Sequence, residues 1–212
     1  MTRVDIAYVV KVLSQFMHSP KQSHMNAALR VVKYIKNAPG LGLLMPSDSS
    51  GKFVAYCDST WGSCLQTRRS VTGYLVKFGN AIVSWKSKKQ ETVARSSAEA
   101  EFRSMASVVA KITWLIGLYK ELGISIEVPI CLYCDSKAII QIAANPIFHE
   151  RTKHIDIDCH FVRDKIIQGV IKTHYVSTKK QQTDLLTKSL GRQQHEHLMT
   201  KLCLKDVFKA SV

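Results

Sequence analysis

The chain carries one tetrapeptide twice, Tyr56-Cys57-Asp58-Ser59 and Tyr133-Cys134-Asp135-Ser136, each time closing an apolar run that reads as a buried strand. Two such strands side by side would set both carboxylates at one end of a sheet. Glu101 lies in Ser97-Ala98-Glu99-Ala100-Glu101, at the start of a long helical stretch, and Asp184 opens a shorter one. Four acids from four separate elements can therefore converge. Carboxylates held close repel and raise each other's pKa unless cations sit between them, so the pattern points to divalent metal. Two Mg²⁺ ions roughly 4 Å apart, with Mn²⁺ as substitute, would remove that cost and clamp both oxygens of a phosphodiester.

The rest of the charge has the opposite sign. Thirty Lys and Arg against sixteen Asp and Glu leave a net charge of +14, spread along all 212 residues. A polyanionic partner follows, nucleic acid ahead of membrane, because no segment reads as a basic amphipathic helix of the membrane-lying kind. No apolar run approaches the roughly 20 residues that span a bilayer. The start, Met1-Thr2-Arg3-Val4-Asp5, does not resemble a secretory signal, which points to a soluble intracellular protein. The six cysteines sit mostly in apolar segments and read as reduced; Cys131 and Cys134, three apart on a strand, face opposite ways and make a poor zinc or redox pair.

Along the chain, Ile6, Val9, Val10, Leu13, Phe16 and Met17, then Met25, Ala28, Leu29, Val32 and Ile35, recur at helical spacing. This predicts a helical hairpin over 1–46, followed by a turn-rich linker. Strands are expected at 53–57, 71–78 and 81–85, the last two joined by Gly79-Asn80, then at 128–134 and 170–176. Helices are expected at 96–122, 136–144, 155–168, 181–190 and 192–202. The boundaries drawn are a hairpin at 1–46, an α/β domain at 51–191 and a C-terminal helical extension at 192–212. The α/β domain is a five-stranded mixed sheet flanked by helices, its fourth strand parallel to the first through a helical crossover.

The order of these motifs resembles the ribonuclease H domain of copia-type long-terminal-repeat retrotransposon Pol polyproteins. Beside the two tetrapeptides, the resemblance rests on Thr67-Arg68-Arg69-Ser70-Val71-Thr72-Gly73-Tyr74, Val83-Ser84-Trp85-Lys86-Ser87-Lys88-Lys89-Gln90, Ser96-Ser97-Ala98-Glu99-Ala100-Glu101-Phe102 and His149-Glu150-Arg151-Thr152-Lys153-His154-Ile155-Asp156-Ile157. Thr2-Arg3-Val4-Asp5-Ile6-Ala7-Tyr8 resembles the tail of the preceding reverse transcriptase.

The resemblance implies a ribonuclease H-like fold and an endonuclease that hydrolyses the RNA strand of RNA:DNA hybrids. Its metal-binding acids fall on Asp58, Glu101, Asp135 and Asp184, with Glu99 turned off the Glu101 face. Cellular ribonucleases H carry a histidine in the loop before the last acid; here that loop has Lys179 and Lys180. Neither tetrapeptide is the Tyr-x-Asp-Asp of a polymerase site.

Arg68, Arg69, Lys86, Lys88 and Lys89 form a candidate phosphate track. Trp85 is a stacking candidate, Trp114 a core residue, and Ser59, Thr60 and Ser97 lie near where 2′-hydroxyls would be sensed. His154 and His160 are better read as packing or phosphate contacts than as ligands, since His149 and His154 miss the His-Glu-x-x-His spacing. Expected partners are an RNA:DNA hybrid and the reverse transcriptase polymerase domain of the same polyprotein. The rival reading is a catalytically weak nucleic-acid-binding module derived from such a polyprotein.

Overall fold

Strand and helix are separated by the period of the apolar residues, and the computed structural model, which describes residues 3–46, 51–145 and 156–208, follows that period closely. Three strands, β2 (Phe53–Thr60), β3 (Val71–Phe78) and β4 (Ala81–Lys89), form an antiparallel meander. The turn between β3 and β4 uses Gly79 at φ 57°, a conformation that glycine adopts without cost. Strand β5 (Ile130–Cys134) pairs parallel to β2, and β6 (Ile171–Tyr175) parallel to β5, giving the order β4-β3-β2-β5-β6.

The crossover from β4 to β5 is α3 (Ser97–Glu121). Ser96 caps it by accepting the Glu99 amide at 3.1 Å, and Gly123, at φ 74°, follows its end. Phe102, Met105, Val108, Val109 and Ile112 pack from α3 onto Phe53, Ala55, Ile130 and Leu132. Each such side chain contributes about 1.5–3 kcal/mol on burial. Helices α4 (Lys137–Ala144) and α5 (Asp156–Ile167) contribute Ile139, Ala143, Cys159 and Val162 to the same core. On the other face of the sheet, Leu75 and Ile82 meet Leu185, Leu186, Leu198 and Leu202 from α6 (Asp184–Thr187) and α7 (Arg192–Lys201), together with Val4. Three antiparallel strands followed by two parallel ones, with helices on both faces, are the ribonuclease H-like arrangement that the motif order implies.

The N-terminal hairpin is present as α1 (Ala7–Ser14) and α2 (Gln22–Asn37). Its apolar stripe is only partly covered: Met17, Met25, Leu29 and Val32 are exposed. Several expectations are corrected. The helix expected at 181–190 shrinks to the single turn of α6, because a 3₁₀ turn at Thr178–Lys180 and extended backbone at Gln181 precede it.

Among the described residues, the last element is a strand and not a helix. After α7 the backbone turns at Cys203, φ 56°, and β7 (Leu204–Asp206) pairs antiparallel with β1 (Leu41–Leu43). Gly40 permits this, since a Cβ there would run into Asp206 and Phe208. Trp114 is not core: it is 56% exposed on the outer side of α3, with the Lys111 ammonium 3.7 Å from its ring centre. All six cysteines are free thiols, and among the described residues no helix is long and apolar enough to cross a membrane.

Candidate active site

Alternation along β2 sends Phe53, Ala55 and Cys57 into the core beneath α3 and leaves Tyr56 and Asp58 on the other face. Asp58 is only 5% exposed and lies opposite Gly73 of β3. That glycine lets α6 come close: a Cβ at Gly73 would collide with Thr187 Cγ2 and crowd Leu186. Hydroxyl groups then hang α6 on the sheet. Thr60 Oγ1 donates to the Thr187 carbonyl (3.0 Å) and Ser87 Oγ to the Leu186 carbonyl (2.6 Å). In the segment ahead of α6, Gln181 Nε2 donates to the Cys57 carbonyl (3.0 Å).

Asp184 is thereby held beside Asp58, itself 1% exposed. Asp135 arrives just past the end of β5, the parallel neighbour of β2, and accepts from Thr178 Oγ1 at 3.3 Å. Glu101 comes from the first turns of α3, while Ser104, three residues on, donates to the carbonyls of Asp58 (2.8 Å) and Gly73 (3.1 Å). Glu99 faces elsewhere, accepting the Arg95 amide (2.7 Å) and pairing with Arg103 (2.6 Å).

The acids feel one another. Burial raises the pKa of Glu101, with Asp135 and Asp58 adding to it and the Ser136 hydroxyl opposing. Asp135 is raised by burial and by Asp58, and Asp184 by burial against the pull of Lys188, with Asp58 and Asp135 adding to it.

The cation among them is a residue that sequence reasoning passed over. Lys188 Nζ lies 2.6 Å from Asp184 Oδ1 and 3.5 Å from Asp58 Oδ2. Burial alone would lower its pKa, but Asp58, Asp184 and Asp135 together raise it. Thr187 Oγ1 also donates to Asp58 Oδ2, at 2.5 Å. The i,i+4 spacing of Asp184 and Lys188 was the available signal. Among the described residues, no three acids, histidines or cysteines stand close enough to hold one ion between them as placed. An all-carboxylate donor set suits a hard divalent cation, and its Asp58–Asp184 pair already holds an ammonium.

The basic residues divide by face. Lys86, Lys88 and Lys89 line a cavity of about 290 Å³ with Thr72, Glu91, Arg103 and Ser107, and Lys86 Nζ donates to Ser107 Oγ at 3.2 Å. Arg103 is a further basic residue that the sequence reading omitted. Lys89, though it borders the same cavity, turns its ammonium to Gln15 Oε1 of the N-terminal segment (3.0 Å). Trp85, opposite Leu75, packs against the second apolar cluster on the face away from Lys86. Arg68, exposed and at φ 52°, and the half-buried Arg69 lie in the loop after β2, Ser97 is exposed at the start of α3, and Lys179 and Lys180 are exposed beside the Asp135 partner Thr178. Ser59 is buried with its hydroxyl unpartnered. His160 is exposed, whereas His149 to His154 lie outside the described residues.

A ribonuclease H-like sheet with an acid cluster at one edge defines the class of this site. No protein-family model matches the chain. It is 40% identical over 201 residues, 95% of its length, to the retrovirus-related Pol polyprotein from transposon RE1 of Arabidopsis thaliana, and 33% identical over 195 residues, 92% of its length, to that from transposon TNT 1-94 of Nicotiana tabacum. It spans 14% of each of these relatives. A crystal structure of LC11-RNase H1 in complex with RNA/DNA hybrid superposes with TM-score 0.48 at 10% identity, over 64% of this chain and 94% of that one. The chain belongs to the copia-type retrotransposon Pol polyproteins, and corresponds to one segment of them.

Proposed function

We propose that this segment is a ribonuclease H that cuts the RNA strand of RNA:DNA hybrids, with Mg²⁺ or Mn²⁺ held by Asp58, Glu101, Asp135 and Asp184. What supports the reading is that carboxylates from β2, α3, the end of β5 and α6 lie close enough for Asp58 and Asp135 to disfavour ionisation of Glu101 and Asp184. Bound divalent metal supplies Lewis-acid activation of water and neutralises charge on the phosphodiester.

The chain's own residues do the holding. Thr187 fixes one oxygen of Asp58, the hydroxyl ties to α6 fix Asp184, and Thr178 orients Asp135. Lys86, Lys88 and Arg103, lining one cavity near the α3 end of the sheet, are suited to seat backbone phosphates of the hybrid. Ser97, Lys179 and Lys180 are exposed and would contact the strand to be cut. The exposed apolar side chains Met17, Met25, Leu29 and Val32 would meet the polymerase part of the same polyprotein.

A hybrid-cleavage assay tests this. Metal-dependent cutting by the chain, lost in both Asp58→Asn and Asp135→Asn, is the expected result. Salt-sensitive hybrid binding without cutting would favour a nucleic-acid-binding module, a rival that the absence of a histidine between Tyr175 and Asp184 keeps specific.

A further inference from the structure

We infer that Lys188 is a built-in counter-ion of the acid cluster, one that competes with divalent metal for the Asp58–Asp184 edge and withdraws when metal binds. The inference rests on the metal-site reading above and adds to it a residue with a defined action. Asp58 and Asp184 are both nearly inaccessible, and two adjacent ionised carboxylates cannot be buried without a compensating cation. The Lys188 ammonium stands in position to be that cation, in contact with one oxygen of each.

Its location makes exchange feasible. The side chain is about a third exposed, where both acids are nearly shut in, so the ammonium can withdraw to solvent and open the acids to another cation. Lys188 also borders a cavity of about 660 Å³ between the N-terminal hairpin and the α6–α7 connection, lined by Tyr8, Val12, Tyr34 and Leu190. The four-carbon stem can lie along that apolar wall with the charged head turned to water. Because lysine and metal are attracted to the same oxygens and repel each other, each weakens the other's hold by the same factor.

Titrating Mn²⁺ into the full metal-free chain by calorimetry, with melting temperatures taken alongside, tests the idea. Lys188→Met and Lys188→Gln are expected to bind Mn²⁺ about tenfold or more tightly than the parent, while Lys188→Arg, which keeps the charge, stays near it. The two neutral variants should melt lower without metal and regain the loss when Mn²⁺ is added. Binding by the neutral variants where the parent shows none would support the inference still more strongly. Equal or weaker affinity in the Met and Gln variants, with Asp58→Asn abolishing the signal, would overturn the competition and leave the metal site standing. No Mn²⁺ binding by parent or variants would remove the metal site itself, and the role of Lys188 with it.

Discussion

The two copies of Tyr-Cys-Asp-Ser are spelled alike and built differently. In the first, β2 runs on through Asp58 and Ser59 to Thr60, paired across to β3 the whole way, so Asp58 sits inside a strand and is nearly inaccessible. In the second, β5 stops at Cys134. Asp135 stands in the gap, and Ser136 accepts the Ile139 amide to cap α4. The residues that follow decide the outcome: Thr60-Trp61-Gly62 continues extended into a turn, whereas Lys137-Ala138-Ile139-Ile140 is helical by propensity and pattern.

The chemistry separates in the same way. Asp58 has Thr187 and Lys188 as partners, while Asp135 has the Thr178 hydroxyl and the field of its neighbour. Identical letters thus yield one anchored carboxylate and one that is more weakly restrained.

The largest test of that contrast is the one in which it should vanish. On the proposed reading, in which both oxygen sets serve the same metals, Asp58→Asn and Asp135→Asn are each expected to lower hybrid cleavage by about a thousandfold or more. A loss confined to one would break the pairing of the two motifs.

Gly73→Ala comes next. Its methyl group must push α6 away from Asp58, and we expect about a hundredfold loss in cleavage with about 1–3 kcal/mol of destabilisation by chemical denaturation. Wild-type activity in that variant would show that α6 need not lie so close.

A smaller effect should distinguish the copies. Without metal at neutral pH, Asp135→Asn relieves a charge that burial and Asp58 both disfavour and should stabilise by up to about 1 kcal/mol. Asp58→Asn instead gives up its ion pair with Lys188 and should not stabilise. Matching shifts from urea titrations would contradict the anchored-versus-restrained distinction.

The smallest effect is on pH dependence. Glu101, Asp135 and Asp184 have folded pKa values above the ordinary 4.5, 3.8 and 3.8, so over that interval the folded state binds more protons than the unfolded one. Metal-free stability should therefore decline as pH rises from about 4 through the raised values, and decline less steeply in Asp135→Asn. Denaturation midpoints at successive pH values without divalent ions give that slope.

Much of this was readable beforehand, for local reasons. Ser96 ahead of an apolar-periodic run marks the start of α3, Gly79-Asn80 marks the β3–β4 turn, and the two tetrapeptides mark neighbouring strand ends. What escaped depends on partners far away in sequence. Leu41–Leu43 becomes a strand only because Leu204–Asp206 lies beside it, and Trp114 is exposed because α3 turns Ile112 and Leu115 inward instead. The expected helix at 181–190 fails for a similar reason: Gln181 and Thr183 are buried and committed to the sheet side, leaving one helical turn to deliver Asp184. Lys188 was passed over because a lysine on a short helix ordinarily reads as solvated surface, and only the placement of Asp58 beneath it makes it part of the site.

The three-rung ladder joining β1 to β7 also sets a timetable. In synthesis from the amino end forward, Leu41–Leu43 precedes its pairing partner by the whole of the central sheet, so this edge stays open until Leu204–Asp206 follows. The hairpin ahead of it can coil as soon as it emerges, but this fastening to the body waits until the central sheet has been made. A nascent chain stalled before Leu204 would therefore carry a finished central sheet and an unlatched amino-terminal arm.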